Sequence, residues 1–187
     1  GQMTIASVDD DAPYSYSNGT PLKNYNNRYG GFTSIREAIT HSINVVTVKV
    51  LSDIGIDTGY HYLVDRFGFT TMSDRDHNEA LALGGITYGV KNLELTAAYA
   101  SIANGGTYIK PRLYTKIIDH DGNVLIDNQP KEHEALQETT AWLLTNAMQD
   151  VLTKGTGKLA YFDGMSLAGK SGTTTKDKDV LFAGFSP

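Results

Sequence analysis

A chain of 187 residues with 40% hydrophobic and 20% charged side chains has the composition of one globular domain large enough to bury a core, which excludes a disordered chain. A formal net charge of -5 leaves no basic footprint and argues against a nucleic-acid partner. The absence of cysteine removes disulfides, thiolate metal sites and a cysteine nucleophile together.

Residues 1 to about 32 are polar and turn-rich, with Asn18-Gly19, Pro21, Asn26-Asn27 and Gly30-Gly31 between tyrosines, and predict an ordered loop with short strands. The triplet Asp9-Asp10-Asp11 is read as a solvated charge run rather than a cation site. Ser34-Ile35-Arg36-Glu37 is a capping box, so a helix begins there and continues at helical spacing through Val50 and Leu51 towards Gly55. Ser42 and Asn44 sit where one helix hands over to the next. Asp57 is the predicted cap of a further helix through Phe67, ended by Gly68.

Asn92 to Asn104 reads as an amphipathic helix stopped by Gly105-Gly106. Leu113 to Asp119 and Asn123 to Ile126 alternate around Asp121-Gly122, a hairpin signature. Asp119, Asp121 and Asn123 resemble the start of a calcium loop, but position twelve is Pro130, so the hairpin reading stands. Gln137 to Leu152 predicts another helix, broken by Gly155-Thr156-Gly157. Ser166 to Thr173 and Val180 to Phe185 predict two strands joined by the charged turn Thr175 to Asp179. Histidines 41, 61, 77, 120 and 133 have no metal-ligand spacing, and only His41, beside Ser42, invites inspection. No cofactor is expected.

No run approaches the roughly 18 to 20 apolar residues of a membrane span, and no signal peptide opens the chain. The strand-like run from Val180 continues almost to Pro187, which predicts a piece of a longer protein whose anchor and partner domains lie outside it.

Chemistry concentrates in Gly164 to Thr174. Gly164 to Ser171 spells the phosphate-loop pattern G-x-x-x-x-G-K-S, which requires a buried strand before it and a helix after it. Gly172-Thr173-Thr174-Thr175 disfavours that helix. The other reading is a strand that carries Lys170, Ser171 and Gly172 to one side of a cleft, with Ser42 and Asn44 on the other. A serine hydroxyl, an amide and a lysine converging there suit acyl transfer.

These residues, together with Pro21-Leu22-Lys23-Asn24-Tyr25, Thr33 to Ala38, Ala82 to Val90, Tyr99 to Gly106 and Gly155-Thr156-Gly157, make the chain resemble the transpeptidase domain of penicillin-binding proteins, most closely the bifunctional class A type. The resemblance implies a mixed α/β fold of the serine β-lactamase and penicillin-binding type, an antiparallel sheet packed with helices, incomplete at both ends of residues 1–187. It implies that Ser42 relays a proton, that Asn44 holds the acyl-donor amide, and that Lys170 supplies positive charge to Ser42. Ser171 and Thr173 would receive the substrate carboxylate, the Thr173 N–H would form half of an oxyanion hole, and Gly172 would keep the strand open. The implied partners are the D-alanyl-D-alanine stem peptide of peptidoglycan and β-lactam antibiotics, at the outer face of a bacterial membrane reached through segments outside this chain.

Two departures stand out. Ser171 occupies a position that is usually threonine in the family, so the hydroxyl loses the methyl that limits its rotamers. The family's nucleophilic Ser-x-x-Lys appears nowhere in residues 1–187, which predicts that this chain alone is inactive. The rival readings are a carboxypeptidase or β-lactamase-like hydrolase, a non-catalytic penicillin-binding sensor, and the nucleotide loop.

Overall fold

The computed structural model describes residues 3–174 and 178–186. The opening segment folds as expected into short strands. Strand β1 (Val8–Asp11) pairs antiparallel with β4 (Gly31–Ser34), and between them β2 (Tyr14–Ser15) pairs with β3 (Pro21–Leu22). The acidic triplet is not a solvated run. Asp11 is buried, accepting hydrogen bonds from Asn24 Nδ2 (2.7 Å) and Gly30 N (2.8 Å), while Asp9 pairs with Lys49 at 3.1 Å. Burial of a carboxylate is tolerable because these donors replace water.

Helix α1 (Ile35–His41) starts at the capping box, with Ser34 and Glu37 satisfying each other's backbone donors. It ends at Ser42, whose φ of 56° is left-handed, and α2 (Asn44–Ile54) begins two residues later. Valine has modest helix propensity. What holds α2 is burial: Val45, Val46 and Val48 are fully enclosed, each contributing about 1.5–3 kcal/mol. Leu22 packs against Val45 and Val48, with Tyr14, Tyr16 and Ala82 around them.

The next helix, α3 (Ile56–His61), takes Gly55 as its N-cap, with Asp57 inside the first turn, and passes into a π-helical turn over Tyr62–Arg66. Two 3₁₀ turns, Asp74–Asp76 and Glu79–Leu83, precede α4 (Asn92–Ala103). The second turn lies against α2. Strand β5 (Thr107–Ile109) pairs with β8 (Glu132–Glu134), and the expected hairpin is β6 (Lys116–Ile118) with β7 (Val124–Asp127). Asp119 closes the hairpin turn by accepting from Asp121 N and Asn123 N, so its carboxylate is occupied locally.

Helix α5 (Glu138–Thr153) buries Ala141, Ala147, Met148, Val151 and Leu152 and leaves Trp142 exposed. Arg36 ties α1 to it, donating to Asp150 at 2.6 Å and Asn146 at 2.8 Å. Strands β9 (Ala168–Thr173) and β10 (Val180–Phe185) form the antiparallel ladder expected at the end of the chain and pack on α5 and α4. Residues 175–177 of the predicted connecting turn lie outside the described residues. All five ladders among the described residues are two-stranded, and no helix among them is long and apolar enough to cross a membrane.

Candidate active site

Three segments meet at the end of α1. The first is the junction Ser42-Ile43-Asn44. Ala38 O accepts from Ile43 N at 2.9 Å and also from Ser42 N, which closes α1 and turns the chain sharply before α2. The second is β9, which carries Lys170 across to this junction. Lys170 Nζ donates to Ser42 Oγ at 2.9 Å and to its neighbour's carbonyl, Ser171 O, at 3.1 Å. Burial of Lys170 disfavours its ammonium form and lowers its pKa from the ordinary lysine value.

Phosphate-loop geometry is absent at Lys170, because Ala168 to Thr173 is strand rather than the start of a helix. Gly172 is open: a Cβ built there meets nothing within 4 Å. Gly169 differs sharply, since its Cβ would approach Phe182 at 2.7 Å and Ala183 O at 2.8 Å. One glycine of β9 is thus required by packing, whereas the other faces free space. Thr173, the last residue of β9, is exposed beside it.

Asn44 heads α2, and its Nδ2 donates to Lys23 O at 2.9 Å, leaving the side-chain oxygen without a protein donor among the described residues. The adjoining Asn24 is buried and saturated. Its oxygen accepts from Val45 N at 3.2 Å, a free donor of the first turn of α2, and its amide donates to Asp11 Oδ1 and Arg28 O. This clasp fixes the Ser42–Asn44 junction against the opening loop.

The third segment is Gly155-Thr156-Gly157. Thr156 N donates to Thr40 O at 3.3 Å, and Thr156 Oγ1 lies 2.8 Å from Ser171 Oγ. Gly155 sits so close to α1 that a Cβ there would lie 2.0 Å from Thr40 O. Of these supporting residues, Lys23, Asn24 and Thr156 belong to blocks that carried the sequence resemblance. Apart from the Asn24–Arg28 turn contact, their individual contacts had no signal in the sequence, because the partners are remote along the chain.

His41 is exposed at the end of α1, and no group of histidine and carboxylate side chains suited to a metal occurs among the described residues. Taken together, the described geometry offers a lysine–serine pair, an amide, and two adjoining hydroxyls on one rim. Such a set can relay protons and hydrogen-bond a polar ligand.

Residues 2–187 match the family described as the penicillin binding protein transpeptidase domain. The chain belongs to that family. Penicillin-binding protein 1F of Bacillus subtilis is 37% identical over 187 residues, covering 97% of this chain and 25% of the relative. Penicillin-binding protein 1A of Clostridium botulinum is 34% identical, covering 100% and 24%. The chain therefore spans about a quarter of the length of these curated relatives. Among solved structures, penicillin-binding protein 1A of Haemophilus influenzae superposes with a TM-score of 0.81 at 26% identity, over 98% of this chain and 33% of that one. Penicillin-binding protein A of M. tuberculosis, solved as an imipenem acyl-enzyme complex, gives 0.82 at 20% identity over 100% and 48%, a likeness of fold alone.

Proposed function

We propose that residues 1–187 are part of a penicillin-binding D,D-transpeptidase domain, and that the longer protein cross-links peptidoglycan stem peptides through an acyl-serine. The observation that supports this most is the 2.9 Å hydrogen bond from Lys170 Nζ to Ser42 Oγ. A lysine whose charge is opposed by burial is poised to exchange a proton with a hydroxyl. In the proposed reaction a serine outside this chain attacks the carbonyl of the penultimate D-alanine, the peptide bond breaks, and the proton that serine gives up is relayed through Ser42 to the departing terminal D-alanine amine. Attack of an acceptor amine on the acyl-serine then forms the cross-link and returns the serine hydroxyl.

Asn44 uses its unengaged side-chain oxygen to hold the donor-peptide N–H, and Ser171 and Thr173 receive the terminal carboxylate. The free space at Gly172 admits the substrate backbone, with the Thr173 N–H as one oxyanion donor. Because no Ser-x-x-Lys occurs in residues 1–187, this chain by itself forms no acyl-enzyme. β-Lactams acylate the same serine, and the work takes place at the outer face of the bacterial membrane.

Transfer is separated from hydrolysis by supplying the full-length protein with a peptide ending in D-alanyl-D-alanine, with and without an amine acceptor. A transpeptidase gives a transfer product that grows with acceptor concentration. Release of free acid alone, unaffected by acceptor, would assign a carboxypeptidase, and acylation without turnover would assign a sensor.

A further inference from the structure

Ser171 is a serine where the resemblance leads one to expect threonine, so the methyl that narrows the choice of χ1 is missing. A free serine hydroxyl on a strand rim samples several staggered wells. Here, however, it has a fixed neighbour. Thr156 Oγ1 lies 2.8 Å from Ser171 Oγ and is that side chain's sole hydrogen-bond partner among the described residues.

Thr156 is itself held on three sides. Its backbone N–H donates to Thr40 O, Gly155 before it is pressed against the same carbonyl, and Gly157 after it is buried, with Val151 and Phe182 in contact range of a Cβ at 3.3 and 3.4 Å. Being β-branched, the threonine adds stiffness at χ1. The restraint lost from Ser171 is thereby supplied from across the rim.

We propose that Thr156 is a positioning residue for Ser171: it donates its hydroxyl proton to Ser171 Oγ, fixing that oxygen and directing the Ser171 proton towards a substrate carboxylate. The inference rests on the transpeptidase reading, in which Ser171 binds that carboxylate. The polarity follows from the inventory of donors. A carboxylate only accepts, so Ser171 must spend its single proton on it and can only accept from Thr156. A chain of Thr156 O–H to Ser171 O–H to carboxylate then strengthens each bond in it.

The test is the acylation rate of the full-length protein with a penicillin and with its methyl ester, which lacks the free carboxylate. Thr156→Val is expected to slow the free acid about five- to tenfold, the loss of one hydrogen bond, while the ester changes less than about twofold. Thr156→Ala carries the same expectation with less bulk, Thr156→Ser keeps the hydroxyl and stays near wild type, and Ser171→Thr restores the free-acid rate in the T156V background. An equal fall for acid and ester, a T156S as slow as T156V, or failure of Ser171→Thr to restore the rate would overturn the inference while leaving the transpeptidase reading intact. A wild-type protein that is never acylated would instead overturn that reading and the inference with it.

Discussion

Lys170 Nζ and Ser42 Oγ, 128 residues apart in sequence, are joined by a 2.9 Å hydrogen bond across the end of α1. Strand β9 brings the lysine, and the left-handed turn at Ser42 presents the hydroxyl. The contact sets a half-buried amine beside a group it can exchange a proton with, and everything proposed for the site is organised around it.

The first consequence concerns pH. Burial lowers the pKa of Lys170, so the unfolded chain holds this proton more tightly than the folded one. The cost of the buried charge is present at low pH and disappears as pH rises through the folded pKa towards the ordinary lysine value, so stability from this group increases across that window. Carbon-13 labelling of lysine side chains should show Lys170 titrating below the exposed lysines, and Lys170→Met should erase that step. A Lys170 resonance that titrates with the bulk lysines would contradict the buried geometry.

Asp76 carries the opposite sign. Burial opposes its charge, but hydrogen bonds from the Thr87 side chain and backbone and from Ser73 outweigh it and bring its pKa down to about 2. These bonds tether the loop that runs into the 3₁₀ turn against α2. Their contribution, about 2 kcal/mol, is complete above the unfolded carboxyl pKa and is lost as pH falls through 3.8 towards 2. Asp76→Asn should therefore lower denaturant stability by roughly that amount at neutral pH and match wild type near pH 2. A difference that persists unchanged into acid would show that the charge is not what matters.

Two glycines separate folding from function. At Gly155 a methyl would meet Thr40 O at 2.0 Å, so Gly155→Ala forces the loop off α1 and should cost about 2–3 kcal/mol in thermal or denaturant unfolding. At Gly172 a methyl meets nothing, so Gly172→Ala should leave stability within about 0.5 kcal/mol while slowing penicillin acylation of the full-length protein. Equal stability losses at both positions would remove the distinction between a packing glycine and a substrate-clearance glycine.

Much of this fold is legible in local sequence chemistry. Ser34 and Glu37 satisfy each other within one turn, so α1 announces its start, and the hairpin at Asp121-Gly122 follows from a glycine at φ 85°. What sequence hides is contact at a distance. Asp11 reads as part of a solvated acidic run, yet Asn24, thirteen residues on, buries and satisfies it. Ser42 adopts a left-handed φ that no local residue preference signals, and the π-helical turn at Tyr62–Arg66 has no periodicity of its own to read. The candidate site divides in the same way: Ser42, Asn44 and Lys170 are proposed from recognisable motifs, whereas the link from Thr156 to Ser171 depends on a loop that only the packing of α1 against α5 places.

Whether the nucleophile lies outside residues 1–187 is decided by intact mass after incubation with a penicillin, run on residues 1–187 and on the same chain extended upstream through a Ser-x-x-Lys segment. Only the extended form is expected to gain one penicilloyl mass, carried by that serine, and Ser42→Ala and Lys170→Met in the extended form should slow the gain. Acylation of residues 1–187 alone would contradict the assignment of the nucleophile, and absence of acylation in both forms would contradict the penicillin-binding transpeptidase reading.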